Sequence, residues 1–246
     1  MTRAAAGGLV AGGVLAAAGV VNSVPALAPV VPPLGRALGL VLREEGLDGV
    51  ALTFDDGPHP RGTPAVLELL REAGAEATFF LVGEQVERRP ALVAEIVAAG
   101  HRVELHSHRH RTQLRQTAGA IRDDADRARA AIEEAGNQAI AGYRPPNGIF
   151  SASGLRAVRR RGWRPVLWSQ WGRDWDAGAT AESIARRCTA AVRAGDVVLL
   201  HDADYYSAPD SWARTVAALP AILETLEAAG LSSRLLRRGG AETTVH

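Results

Sequence analysis

Val50-Ala51-Leu52-Thr53-Phe54-Asp55-Asp56-Gly57-Pro58 decides the fold: an apolar run stops at two adjacent carboxylates and a Gly-Pro pair. The run reads as a buried parallel strand, and Gly-Pro as the turn that ends it. Two carboxylates at the end of a buried strand are costly unless a cation or a proton offsets their repulsion. The junction is therefore where a metal and a base are expected. The plainer alternative is a solvated turn, or a helix N-cap formed by one of the pair.

Outward from this stretch, apolar runs alternate with helical patterns. Strands are expected at residues 49–54, 77–82, 102–105, 139–143, 164–168 and 196–200, and a seventh can be placed at 233–236. Between them, Pro64 opens a helix that Gly74 ends, and Pro90 breaks another over residues 85–99. Residues 114–135 form a long helix with Ile121, Ala125, Ala128 and Ile132 on one side. Ser151 and Thr180 cap helices running to Arg161 and Ala194, and the last helix lies within residues 209–230. Repeated strand–helix units imply an α/β domain with a parallel sheet, and seven of them suit a distorted (β/α) barrel. A chain of 246 residues accommodates one such domain.

The formal net charge of +1 gives no field that argues for nucleic acid. All 28 basic residues are arginine, a compositional bias without a functional reading. Cys188 stands alone, so no intramolecular disulfide forms; it reads as a small buried helix residue. Residues 4–21 are uncharged, follow Arg3 and precede Pro25-Ala26-Leu27-Ala28, a pattern fit for signal peptidase. Their length is close to the ~20 residues of a membrane span, but Ala and Gly make them weakly hydrophobic. A cleaved signal peptide, an uncleaved anchor and a non-membrane apolar helix compete. The expectation is a secreted or cell-envelope protein, monomeric, touching membrane only through this segment. Residues 1–28 are thus read as signal or anchor, 29–44 as an extended linker, and 45–246 as the folded domain.

The polar residues collect at strand ends. Asp55 and Asp56 follow the first strand, His106 and His110 the third, and Arg144 with Pro145-Pro146-Asn147-Gly148 the fourth. Asp174 and Trp175 follow the fifth, and His201-Asp202 the sixth. In a parallel barrel these ends gather on one face, where sites form. His106 and His110 stand at i and i+4; on a helical turn both imidazoles would share one face and one metal. His101 and His108 read as structural. Arg144 is either an ordinary surface arginine or a fixed charge on a stiff loop. His201 is either a satisfied core histidine or a proton-transfer group oriented by Asp202 or Asp174. Trp168, Trp171 and Trp175 are core by default, or a wall on which a sugar stacks.

Taken together, these residues resemble the five motifs of the NodB-homology polysaccharide deacetylases, carbohydrate esterase family four. Thr53-Phe54-Asp55-Asp56-Gly57-Pro58 looks like the first motif and His106-Ser107-His108-Arg109-His110 like the second. Arg144-Pro145-Pro146-Asn147-Gly148, Trp171-Gly172-Arg173-Asp174-Trp175 and Leu199-Leu200-His201 are similar to the third, fourth and fifth. The resemblance implies a seven-stranded distorted barrel and a divalent metal, usually zinc, held by Asp56, His106 and His110. It implies Asp55 as general base held by Arg144, His201 as general acid oriented by Asp174, and Leu199 and Trp175 around the acetyl methyl. The implied reaction is acetate release from an N-acetylated amino-sugar polymer, peptidoglycan or chitin-like. An O-acetyl esterase is the alternative in the same chemistry. A non-catalytic carbohydrate-binding relative is a third reading, which retention of Asp55 and His201 opposes. Two positions depart from the family pattern. Asn147 stands where an aromatic residue is usual, and Trp171 replaces the first Asp of the fourth motif. Both changes are expected to bear on the substrate pocket.

Overall fold

The computed structural model describes residues 19–238. Seven strands form one parallel sheet: β1 (Ala51–Asp55), β2 (Ala77–Leu81), β3 (Arg102–Leu105), β4 (Gly142–Tyr143), β5 (Arg164–Pro165), β6 (Gln170–Trp171) and β7 (Val197–His201). Their order is β5-β4-β3-β2-β1-β7-β6. β1 lies between β2 and β7, with Asp55 in register with Phe80 on one side and His201 on the other. Every residue of β1 and β2 is buried, which is why these runs are apolar without alternation.

The helices α1 (Pro32–Ala37), α2 (Gly62–Glu72), α3 (Gly83–Arg88), α4 (Pro90–Ala98), α5 (Ala118–Gly136), α6 (Ala152–Arg160), α7 (Ala181–Thr189) and α8 (Ser211–Ala228) surround the sheet. Pro90 separates α3 from α4. The Ser151 and Thr180 hydroxyls accept from the Gly154 and Ser183 N–H groups at 3.0 and 3.2 Å, capping α6 and α7. α5 buries Ile121, Ala125, Ala128 and Ile132 and ends at Asn137, whose φ of 45° closes the helix. α7 stops at Thr189 rather than Ala194, because the chain must turn there toward Gly195 at φ 83°. Cys188 is buried in α7, and burial raises its thiol pKa.

Two features differ from the sequence reading. The seventh strand is Gln170–Trp171, paired with Val198 and Leu199 of β7, and not residues 233–236. Ser233 makes only an isolated bridge to Val50, and the Leu236 N–H donates to Thr78 Oγ1. A two-residue, half-buried strand leaves no apolar run to read.

Residues 32–44 are also no linker. Pro32 starts α1, where its fixed φ suits the first turn, and Ala28, Leu40 and Leu42 are buried in the core. The Val41 N–H donates to Pro165 O and its carbonyl accepts from Leu167 N–H, while Arg43 bridges Asp196 beside β7. This segment therefore spans the gap between β5 and the base of β7. Glu44 accepts both guanidinium nitrogens of Arg164, at 2.7 and 2.8 Å, and the Arg237 N–H at 3.1 Å. The signal-or-anchor reading of residues 1–28 falls outside the described residues up to residue 18.

Candidate active site

Two left-handed residues aim the site. Asp56 follows β1 at φ 77° and Ser107 follows β3 at φ 70°, conformations that cost a side-chain-bearing residue about 1–3 kcal/mol. The surroundings hold both turns. Ser107 Oγ lies 2.8 Å from the Tyr143 hydroxyl, which also accepts from Gln113 Nε2 at 2.9 Å. Gly57 O accepts the Val82 N–H, and Ser107 O the Gly83 N–H, each at 3.0 Å.

The turns bring Asp56 Oδ1 to 3.4 Å from Nε2 of both His106 and His110. That oxygen is buried and has no hydrogen-bond partner. His106 Nδ1–H donates to Arg144 O at 2.9 Å, which leaves the Nε2 lone pair free. Burial pushes His110 down to about 4 against the attraction of Asp56, so its imidazole is neutral at pH 7. Burial works against ionised Asp56, but His106, His201 and His110 outweigh it and hold the carboxyl at about 2. An orphaned carboxylate oxygen facing two imidazole nitrogens is a donor set that fits a divalent cation and leaves coordination positions open. The two histidines are not on a helix, as the i, i+4 spacing suggested. They lie on a loop after β3, pinned where Asp124 accepts the His108 and Arg109 N–H groups at 2.7 and 3.1 Å.

Arg144 is fully buried rather than a surface residue. Its Nη1 donates to Asp55 Oδ1 at 2.6 Å and Thr53 Oγ1 at 2.9 Å, and its Nη2 to Leu167 O at 2.8 Å. The guanidinium lies 4.1 Å from the centre of the Phe80 ring. Burial lowers its pKa and Asp55 opposes that fall. Asp55 Oδ2 carries no such bond and sits 3.8 Å from His106 Nε2.

On the neighbouring strand, His201 Nδ1 bonds to Asp174 Oδ1 at 3.0 Å and its backbone N–H to Oδ2 at 2.7 Å. Thr215 Oγ1 donates to the same Oδ2 at 2.7 Å. Burial alone would lower His201, but Asp174 outweighs it, with Asp56 and Asp55 adding, and raises it to about 10. Asp202, the other candidate partner for His201, instead accepts from Thr63 Oγ1.

Asp55, Asp56, His106, His110 and His201 line one cavity of about 220 Å³ together with Asn147, Trp171, Trp175 and Leu199. Trp168, Trp171 and Trp175 form a chain of indoles at 5.7 Å spacing, and Trp175 meets His201 edge-on at 5.4 Å. A Cβ on Gly148 would stand 2.4 Å from Trp168, so glycine lets the loop lie against the indole. The aromatic loop after His201 adds Tyr206 to the wall. Its ring stacks on His110 at 4.2 Å and 8°, and its hydroxyl donates to Glu84 Oε1 at 2.6 Å. The tyrosine pair shortly after His201 was the available signal.

Comparison with known proteins identifies the family. The polysaccharide deacetylase family model matches residues 43–166, a span that contains Asp55, Asp56, His106, His110, Arg144 and Asn147. The chain is 36% identical over 183 residues to a peptidoglycan-N-acetylglucosamine deacetylase of Bacillus cereus, covering 74% of this chain and 83% of the relative. It is 33% identical over 206 residues to a chitooligosaccharide deacetylase of Azorhizobium caulinodans, covering 81% of this chain and 96% of that protein. Among solved structures it superposes on a family 4 carbohydrate esterase from Streptomyces lividans in complex with acetate. That match has a TM-score of 0.70 and 31% identity, over 78% of this chain and 95% of the other. By sequence, by fold and over most of its length, the chain belongs to the polysaccharide deacetylase family.

Proposed function

We propose that this enzyme hydrolyses the acetamide of N-acetylated amino sugars in a glycan polymer, peptidoglycan or chitin-like, releasing acetate and a free amine. The observation that carries the reading is the meeting of Asp55–Arg144 and His201–Asp174 around Asp56, His106 and His110 in one cavity. The two relatives, deacetylases of peptidoglycan N-acetylglucosamine and of chitooligosaccharides, support the amide over the ester.

Asp56, His106 and His110 would hold a divalent cation, with zinc the first candidate for this nitrogen and oxygen set. Such an ion polarises an acyl carbonyl and acidifies water. Arg144 occupies Asp55 Oδ1, which leaves Oδ2 as general base for the attacking water. Pro145 and Pro146 lack an N–H and the Gly148 N–H is spent on Pro145 O, so Asn147 N–H is the loop's donor toward the acyl oxygen. Asp174 holds His201 Nδ1, and the opposite nitrogen delivers a proton to the leaving amine. Leu199 and Trp175 seat the acetyl methyl, and Trp171 offers a face to a sugar ring.

The test is acetate release from N-acetylglucosamine oligomers, peptidoglycan and acetylated xylan, with zinc and with chelator, beside Asp55→Asn. Metal-dependent acetate that disappears in the variant is expected from the first two. Acetate from xylan alone would move the enzyme to O-deacetylation. No acetate from any polymer, with metal bound, would overturn the proposal.

A further inference from the structure

Among the described residues, six of the seven exposed large hydrophobic side chains lie within residues 20–31: Val20, Val21, Val24, Leu27, Val30 and Val31. The other, Leu114, lies far along the chain. A concentration of this kind marks an interaction face rather than the usual scatter of surface leucines and valines.

The segment that carries this face is built into the domain. Ala28 is fully buried in the main core, and Pro25 is buried in the 3-10 turn Val24–Leu27. Asn22 Oδ1 accepts the Ser153 N–H at 3.0 Å, satisfying a donor in the first turn of α6. α6 packs against the turn itself. Removal of the chain up to Ala28 would strip these partners from a helix end and from the core. A discarded leader has no reason to cap a helix of the protein it leaves.

Charge identifies what the face meets. No acidic residue precedes Glu44, and none lies between Glu134 and Asp174. Arg36 on α1 and Arg156 and Arg160 on α6 are exposed and form no ion pair among the described residues. The chain entering the face, residues 4–21, is uncharged. Asp126 of α5 pairs with Arg161. That leaves Arg156 and Arg160 on α6 and Arg36 on α1 as exposed cations, unpaired among the described residues, beside an apolar segment. The combination matches an anionic lipid surface.

We propose that residues 22–31 stay in the mature protein and dock the domain on an anionic bilayer, with Arg36, Arg156 and Arg160 over the headgroups. Asn22 reaches the start of α6, the helix that follows the Asn147–Gly148 loop of the cavity wall. The inference does not depend on which acetyl bond is cleaved.

The test uses the full chain, recovered from membranes of an expressing bacterium and reconstituted in vesicles. Its intact mass reports whether the chain has been cut after Ala28. Leu27→Cys and Val30→Cys, with Cys188 buried, each take one environment-sensitive fluorophore; Arg71→Cys on α2 is the control. With phosphatidylglycerol vesicles carrying brominated acyl chains, the probes at 27 and 30 should lose about two-fold or more of their emission, and the control none. Arg156→Gln with Arg160→Gln should reduce that quenching. A mature chain beginning at Pro29, unquenched probes, or a shift that follows protein concentration without lipid would overturn the proposal; the last would assign the face to a second copy.

Discussion

His201 is tied to Asp174 twice, through its ring Nδ1 to one carboxylate oxygen at 3.0 Å and through its backbone N–H to the other at 2.7 Å. One carboxylate thus sets both where the residue sits and which way its ring turns. Asp174 also favours the charged ring, and His201 rises from 6.5 to about 10 although burial opposes it. The sign follows directly. The stabilisation is complete below pH 6.5 and is lost as pH rises through about 10. Activity that needs the Nε2 proton should fall in the same alkaline range. In Asp174→Asn the alkaline limb should move down toward the ordinary histidine range, with kcat at pH 8 reduced about 100-fold or more. Paired pH–rate profiles check this, and an unmoved alkaline limb would refute it.

Arg144 and Asp55 form a fully buried ion pair. Arg144→Met leaves the carboxylate without its cation and should destabilise the fold by about 3–5 kcal/mol. Adding Asp55→Asn should recover much of that loss while activity stays absent. Urea midpoints of the two variants separate the structural from the chemical role of the pair.

Metal added to chelator-treated protein should stabilise it, by about 2.7 kcal/mol when the free ion exceeds its Kd 100-fold. Asp56→Asn removes the charge of the cluster and His110→Ala one of its nitrogens, and each should abolish the shift. Thermal melts with and without zinc read the result without any substrate, so they test the site independently of the glycan.

Glu104 provides a stability prediction away from the cavity. Burial raises its carboxyl from 4.5 to about 7, although the Gly142 and Ala141 N–H groups, both donating to Oε2, oppose the rise. The stability it contributes is complete below pH 4.5 and is lost as pH rises through about 7. Glu104→Gln keeps an acceptor for both N–H groups and should remove this slope. Relative to wild type it should gain on the order of 1–3 kcal/mol between pH 4.5 and 7.5. Denaturant unfolding at the two pH values measures the difference.

What was legible in the sequence followed the length of each signal. β1, β2 and β7 are five-residue, mostly apolar strands, and β1 and β7 run straight into Asp55-Asp56 and His201, so they announce themselves. β4, β5 and β6 have two residues each, so register with a neighbour defines them and no pattern does. His106 and His110 do meet at Asp56, but a left-handed Ser107 and a loop bring them together where spacing suggested a helix. Tyr206 is packed on His110 by tertiary folding that no local pattern encodes. The prolines at 29–33 suggested a spacer, although proline serves equally to start a helix, as Pro32 does.

Glu44 joins the base of β5, through Arg164, to the carboxy-terminal segment, through the Arg237 N–H. The beginning and end of the barrel therefore meet at one carboxylate. A short splice between residues near 238 and 41, with new ends opened in a solvent-exposed turn such as that at Gly74, should yield a circular permutant with the same cavity. Such a permutant would need the segment before residue 41 supplied as a separate chain, because Ala28 and Leu40 belong to the core.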